Sequence, residues 1–235
     1  DCAKNLKGEV YCFSMKEKVP QGAYLEGETL TFVGPQGKIA LVKKDELPIK
    51  GPHNCANALA AAAAALAWGL PKDGVIRGLL SFSGVPHRLE PVATINGVAF
   101  VNDSKATNVD SVWFALQSVQ APIVWIAGGK DKGGSYAPLR ELIPDRVKGM
   151  VLIGQTRPLI KKALGDLAPA YETKTLPEAV EKAYELSASG DTVLLSPACS
   201  SFDMFANFEE RGDVFKKSVM ELKRKAEQKW KTAGA

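Results

Sequence analysis

A chain of 235 residues with 46% apolar and 24% charged side chains is long enough for one large or two smaller domains, and its composition excludes the disordered and fibrous classes. The net charge of +4 suits an anionic ligand but falls short of a nucleic-acid footprint, so no nucleic-acid partner is expected. Four cysteines at positions 2, 12, 55 and 199, without close pairing, and only two histidines argue against a structural zinc site and fit reduced thiols in a cytoplasmic protein.

The chain opens at Asp1 into a strand-like segment, as a piece cut from a longer protein would. Residues 10–47 read as short strands and hairpins, VYCFS, AYLEG, TLTFVG and KIALVKK, separated by glycine and proline. After Gly51 and Pro52 an alanine-rich stretch to Trp68 predicts a helix that Gly69 ends. The apolar run at 55–70 is interrupted by Asn57 and dominated by alanine, too weakly hydrophobic to span a bilayer, and no signal peptide precedes it. Pro71 opens a second helix, predicted over 75–82.

Ser83 to Pro86 form a turn-prone joint, taken as a domain boundary between residues 1–85 and 86–235. Beyond it, LEPVATI and VAFVNDS flank Asn96-Gly97, a strong hairpin signal. A helix is predicted over 109–119. Three apolar runs follow, PIVWIAG, GMVLIG and TVLLSP, each leading into a polar loop and a helical pattern, as in a mostly parallel sheet with crossover helices. The fold class is therefore α/β, with a Rossmann-like second domain. The basic residues from Lys216 to Lys231 interleave with Glu221 and Glu227 as on a solvated helix face.

In open α/β sheets the ligand site forms beyond the carboxyl ends of the strands. Three polar segments lie there: 102–108 (NDSKATN), 128–134 (GGKDKGG) and 196–208 (SPACSSFDMFANF). In the first, Asp103 and Lys105 carry opposite charges and Ser104, Thr107 and Asn108 add hydroxyl and amide groups just before a helix whose N-terminus favours an anion, or Thr107 or Asn108 can be a plain N-cap. In the second, Lys130 and Lys132 suit a carboxylate or phosphate, or simply ride on a strand-to-helix turn. In the third, Ser200 and Ser201 hydroxyls and the following N–H groups can converge on an anion, while Cys199 reads as a nucleophile or, more commonly, a buried thiol. Before them, Asn54 and Asn57 share a helix face suited to an adenine edge or to capping, His53 reads as a packed histidine, and Arg88 at the joint can meet a phosphate or a structural carboxylate.

The ordered set GPHNCANALAA, HRLE, VNDSKATN, GGKDKGG and SPACSSFDMFANFEERGDVF closely resembles the Mur ligase family, and DSKATN with SPAC and FDMFANFEERG resembles the branch that adds D-glutamate. The resemblance implies an ATP-dependent amide-forming ligase of peptidoglycan synthesis acting through an acyl phosphate. Its substrates would be UDP-N-acetylmuramoyl-L-alanine, D-glutamate and ATP with Mg2+. It implies that residues 1–85 are the second half of a central ATP-binding domain and 86–235 a Rossmann-like domain for the incoming amino acid. No GxxxxGK[ST] loop occurs in the sequence, so the magnesium ligands are expected upstream and the chain is expected to be inactive alone, and monomeric. By position, Asn54, Asn57, Arg88, Asp103 and Lys105 would bind ATP. Thr107 and Lys132 would bind the α-carboxylate of D-glutamate, and the Ser201 hydroxyl and Phe208 N–H its side-chain carboxylate. Two alternatives remain open here: a noncatalytic module for a nucleotide or acidic amino acid, and a relative acting on another substrate.

Overall fold

The computed structural model describes residues 7–233, with side chains to Gln228 in the last helix; Cys2 and the side chains of Lys229 and Lys231 lie outside the described residues. The chain divides into two compact units, Asp1–Gly84 and Val85–Ala235.

In the first unit, β1 (Cys12–Ser14), β2 (Gly22–Glu26), β3 (Thr29–Gly34) and β4 (Gly37–Lys43) form one sheet in that order. The last three strands are antiparallel neighbours, whereas β1 pairs parallel to β2. The alanine run forms α1 (Pro52–Ala67), with proline in its first turn, where the missing N–H costs nothing. Small side chains let the helix lie close to the sheet: Cys55, Ala58, Leu59 and Ala63 pack on Ala23, Leu30, Phe32 and Val42. The next helix, α2 (Lys72–Ser81), starts three residues before the expected position because Pro71 is its N-cap, not a residue upstream of it.

The second unit is the mostly parallel α/β sheet that the strand-and-helix alternation predicts. β5 (Glu90–Ile95) and β6 (Val98–Asn102) form the hairpin around Asn96-Gly97, both with positive φ, as this tight turn requires. Then come α3 (Val109–Ser118), β7 (Ile123–Gly128), a 3-10 turn at Ala137–Leu139, α4 (Ile143–Arg146), β8 (Val147–Ile153), α5 (Arg157–Leu164), β9 (Ala170–Glu172), α6 (Leu176–Leu186), β10 (Thr192–Leu195) and α7 (Phe208–Ala233). The sheet order is β5-β6-β10-β7-β8-β9, parallel except for the β5 edge. The three-residue β9 carries too little apolar alternation to be legible in the sequence.

Strands β7, β8 and β10 are buried on both faces, which is why they read as unbroken apolar runs. On one face Leu116 of α3 and Ile160 and Leu164 of α5 cover Trp125 and Met150; on the other, Val180 of α6 and Phe215 and Val219 of α7 cover Val124, Ile126 and Val193. The last strand in sequence thus slots between β6 and β7, placing three chain-distant carboxyl ends side by side. Among the described residues no helix is long and apolar enough to cross a membrane.

Candidate functional site

The carboxyl ends of β6, β10 and β7 release the three polar segments, and hydrogen bonds lock these together. The Asp103 N–H donates to Leu195 O (2.7 Å) and the Ala198 N–H to Ala106 O (3.0 Å), joining the first segment to the third. The Lys130 N–H donates to Ser200 O (2.9 Å), joining the second to the third. Gly129 makes that last approach feasible: its φ is +148°, and a Cβ there would stand 2.3 Å from Ser200 O.

Of the anticipated amino-acid ligands, Lys132 and Thr107, 25 residues apart, are brought into contact, the ammonium donating to the hydroxyl at 3.2 Å. Asn108 is the N-cap of α3, its carboxamide accepting the Ser111 N–H at 2.8 Å, so Thr107 is left for the site. Ser201 is buried, and its carbonyl accepts the Met204 and Phe205 N–H groups, fixing the turn into α7. Phe208 is the first residue of α7, so its N–H is one of the four that no carbonyl of the helix accepts. Asn207 caps the helix, accepting the Glu210 N–H at 2.7 Å. The Phe208 ring lies under the Lys105 ammonium (5.4 Å) and against the edge of His87 (6.0 Å).

The anticipated nucleotide ligands fall in both units. In α1, Asn54 donates to Lys50 O (2.9 Å) and Asn57 donates to the Asn54 carboxamide oxygen (3.4 Å), so the two amides stand together on one helical face. In the second unit, Arg88 is exposed. It sits between two residues in left-handed conformation, His87 and Leu89 (φ 63° and 45°). Glu90 accepts the His87 N–H (2.9 Å) and Asp103 accepts the Leu89 N–H (3.2 Å), offsetting the strain of this turn. Asp103 is buried, with its second oxygen taking the Ser196 hydroxyl at 2.8 Å. Burial pushes its carboxyl up to about 7, with the Ser196 and Leu89 hydrogen bonds and the Arg88 charge opposing.

Cys199 is buried against Tyr136 (3.2 Å) and Thr156 (3.3 Å), and burial raises its thiol above the ordinary range. That is an inert, packed thiol rather than a nucleophile.

Two features carry the site without having been assigned a role in the sequence. Arg211, 1% exposed, donates from Nε to Ser104 Oγ (3.0 Å) and from its two terminal nitrogens to Ser104 O (2.8 Å) and Cys199 O (3.1 Å). Burial lowers its guanidinium to about 10, so it remains charged at neutral pH among neutral partners. Next to it, Gly212 leaves room for the buried His87 ring, which also meets Asn102 Nδ2 at 3.1 Å. Both residues stand one turn into α7, within FEERGDVF; the arginine and glycine in that position were the available signal.

The family described as "Mur ligase, glutamate ligase domain" matches residues 87–199. The chain is 47% identical over 184 residues to the "UDP-N-acetylmuramoylalanine--D-glutamate ligase" of Salinibacter ruber, covering 78% of this chain and 40% of that protein. It is 46% identical over 226 residues to the protein of the same name from Caldanaerobacter subterraneus subsp. tengcongensis, covering 94% of this chain and 49% of that one. The chain thus spans less than half the length of either relative. Among solved structures it is similar to MurF from Acinetobacter baumannii, with TM-score 0.64 and 22% identity over 85% of this chain and 45% of that chain. It is also similar to UDP-N-acetylmuramate-alanine ligase MurC from Thermotoga maritima, with TM-score 0.60 and 20% identity over 90% of this chain and 48% of that chain. These two likenesses concern the fold.

Proposed function

The chain belongs to the Mur ligase family, and on that premise we propose that the protein it comes from is an ATP-dependent ligase joining D-glutamate to UDP-N-acetylmuramoyl-L-alanine, with release of ADP and phosphate, in peptidoglycan precursor synthesis. The observation that carries this reading is the Lys132–Thr107 contact at 3.2 Å between segments that follow β7 and β6, the two strands flanking β10, after which the Ser201 segment begins. One cationic and one neutral donor set suit a substrate with two carboxylates.

A carboxylate is a poor electrophile, and ATP supplies the phosphoryl group that turns the L-alanyl carboxylate into an acyl phosphate. The D-glutamate amine attacks that carbonyl, and phosphate leaves from the resulting tetrahedral centre. In this reading Lys132 and Thr107 hold the α-carboxylate, and the Ser201 hydroxyl and Phe208 N–H hold the side-chain carboxylate. With both ends fixed, the amine is oriented and the entropy of alignment is lost on binding rather than at the barrier.

For ATP, the paired Asn54 and Asn57 amides offer donors and acceptors to an adenine edge, and the exposed Arg88 guanidinium is available to a phosphate. Lys105 lies in the first segment for the ribose side. Asp103 is read on the ribose side as well, and its bonds to the Leu89 N–H and the Ser196 hydroxyl hold the Arg88 turn. The GxxxxGK[ST] loop and the magnesium ligands are assigned to the part of the protein outside this chain, which is proposed to be inactive alone. The reaction is placed in the cytoplasm, with a monomer as the acting unit.

The test is Lys132→Ala in the full-length protein, read by ADP release. Loss of a charge-assisted hydrogen bond should raise the KM for D-glutamate about tenfold or more while leaving that for ATP nearly unchanged. No D-glutamate-dependent ADP from the unaltered protein, or equal rises in both constants, would overturn the reading.

A further inference from the structure

Two sets of donors for one diacid must stand a fixed distance apart, and they come from segments far apart in sequence. Thr107 lies on the first segment, three residues beyond Ser104; Ser201 lies two beyond Cys199, and Phe208 begins α7. Ser104 has no exposed surface. Its hydroxyl donates to Phe208 O at 2.8 Å and accepts Arg211 Nε–H at 3.0 Å. The same guanidinium holds Ser104 O (2.8 Å) and Cys199 O (3.1 Å). Ser104 and Arg211 therefore tie the Thr107 segment to both carriers of the other donor set. The backbone bond from Ala198 to Ala106 joins the first and third segments but does not reach α7.

We infer that the buried Ser104–Arg211 link sets the spacing between the two carboxylate grips, and so makes the site selective for a five-carbon over a four-carbon D-dicarboxylic amino acid. This rests on the substrate reading above. The link touches no substrate; Ser104 and Arg211 are positioning residues. Its selectivity has a physical origin. A rigid spacing leaves one grip unpaired when the diacid is a methylene shorter, forfeiting its hydrogen bonds, and the loss is greatest where the unpaired donor is the buried Ser201, whereas a loose spacing lets both grips close on either acid. Fixing the Phe208 carbonyl also fixes the orientation of the first turn of α7, from which the Phe208 N–H projects.

The experiment compares D-glutamate with D-aspartate in the full-length protein by ADP release, for the unaltered enzyme and for Ser104→Ala. The variant should raise the KM for D-glutamate about tenfold, the effect of one or two lost buried hydrogen bonds. It should leave the KM for ATP unchanged and lower the ratio of kcat/KM for D-glutamate over D-aspartate by a similar factor. Arg211→Lys, which keeps the charge but not the planar fork, serves if Ser104→Ala fails to fold and should show the same loss of discrimination. A variant as selective as the unaltered enzyme, or one in which the constants for all substrates rise together, overturns the inference and leaves the substrate reading intact. Absence of D-glutamate-dependent ADP from the unaltered enzyme overturns both.

Discussion

Replacing Gly212 by alanine sets two effects of opposite sign against each other. In the interior of α7 the substitution should help by about 1 kcal/mol, since alanine forms helix more readily than glycine. A Cβ at this position, however, would stand 2.0 Å from Nδ1 of His87, 2.8 Å from Cε1 and 3.0 Å from Cγ. The ring cannot yield freely: it is 6% exposed, meets Asn102 at 3.1 Å and packs edge-on against Phe208. Overpacking of this kind costs about 2 kcal/mol, and the lost hydrogen bond about 1. The clash wins, with a net loss of about 2 kcal/mol, a fall of about 4–8 °C in the unfolding midpoint. Thermal unfolding of the chain measures it. Adding His87→Ala should make the glycine substitution nearly harmless, because its obstacle is gone. An unchanged or higher midpoint for Gly212→Ala alone would refute the packing account.

Two further substitutions test the frame of the site. Asp103 has its carboxyl raised from 3.8 to about 7 by burial, so the folded state holds its proton more tightly than the unfolded one. The stability this contributes is complete below about pH 4 and is lost as pH rises through about 7. Asp103→Asn keeps the acceptor for the Leu89 N–H and should remove that loss; urea midpoints at pH 5 and pH 8 that shift equally in both proteins would contradict it. Gly129→Ala places a Cβ 2.3 Å from the Ser200 carbonyl oxygen at a φ of +148°, where neither backbone can yield cheaply. A loss of about 3 kcal/mol or more is expected, with faster exchange of the Lys130 amide, and an unchanged urea midpoint would refute it.

Much of the fold around the candidate site was legible because its signals are local. Asn96-Gly97 specifies a tight hairpin turn by its own backbone preferences, and the PIVWIAG and TVLLSP runs announce strands covered on both faces. The asparagine at 108 announces a cap by residue type, although sequence alone left Thr107 as an equal candidate; the Ser111 hydrogen bond decides for Asn108. Lys132 and Thr107 could be nominated separately, but nothing in either segment states that they touch. Cys199 shows the same division: residue type permits a nucleophile, and only its burial beside Tyr136 and Thr156 removes that reading.

By itself, the sequence determined the alternation of strands and helices, the turns, and which loops follow which strands, since these depend on periodicity and conformational preference over a few residues. The tertiary structure alone decided that β10 enters between β6 and β7, that β1 runs parallel to β2, and that Arg211 is buried against Ser104. An arginine in a charged stretch such as FEERGDVF reads as solvated. Its burial becomes favourable only once carbonyl and hydroxyl acceptors from residues 104 and 199 are assembled around it. Such acceptors are supplied by strand order, which a local window of sequence does not contain.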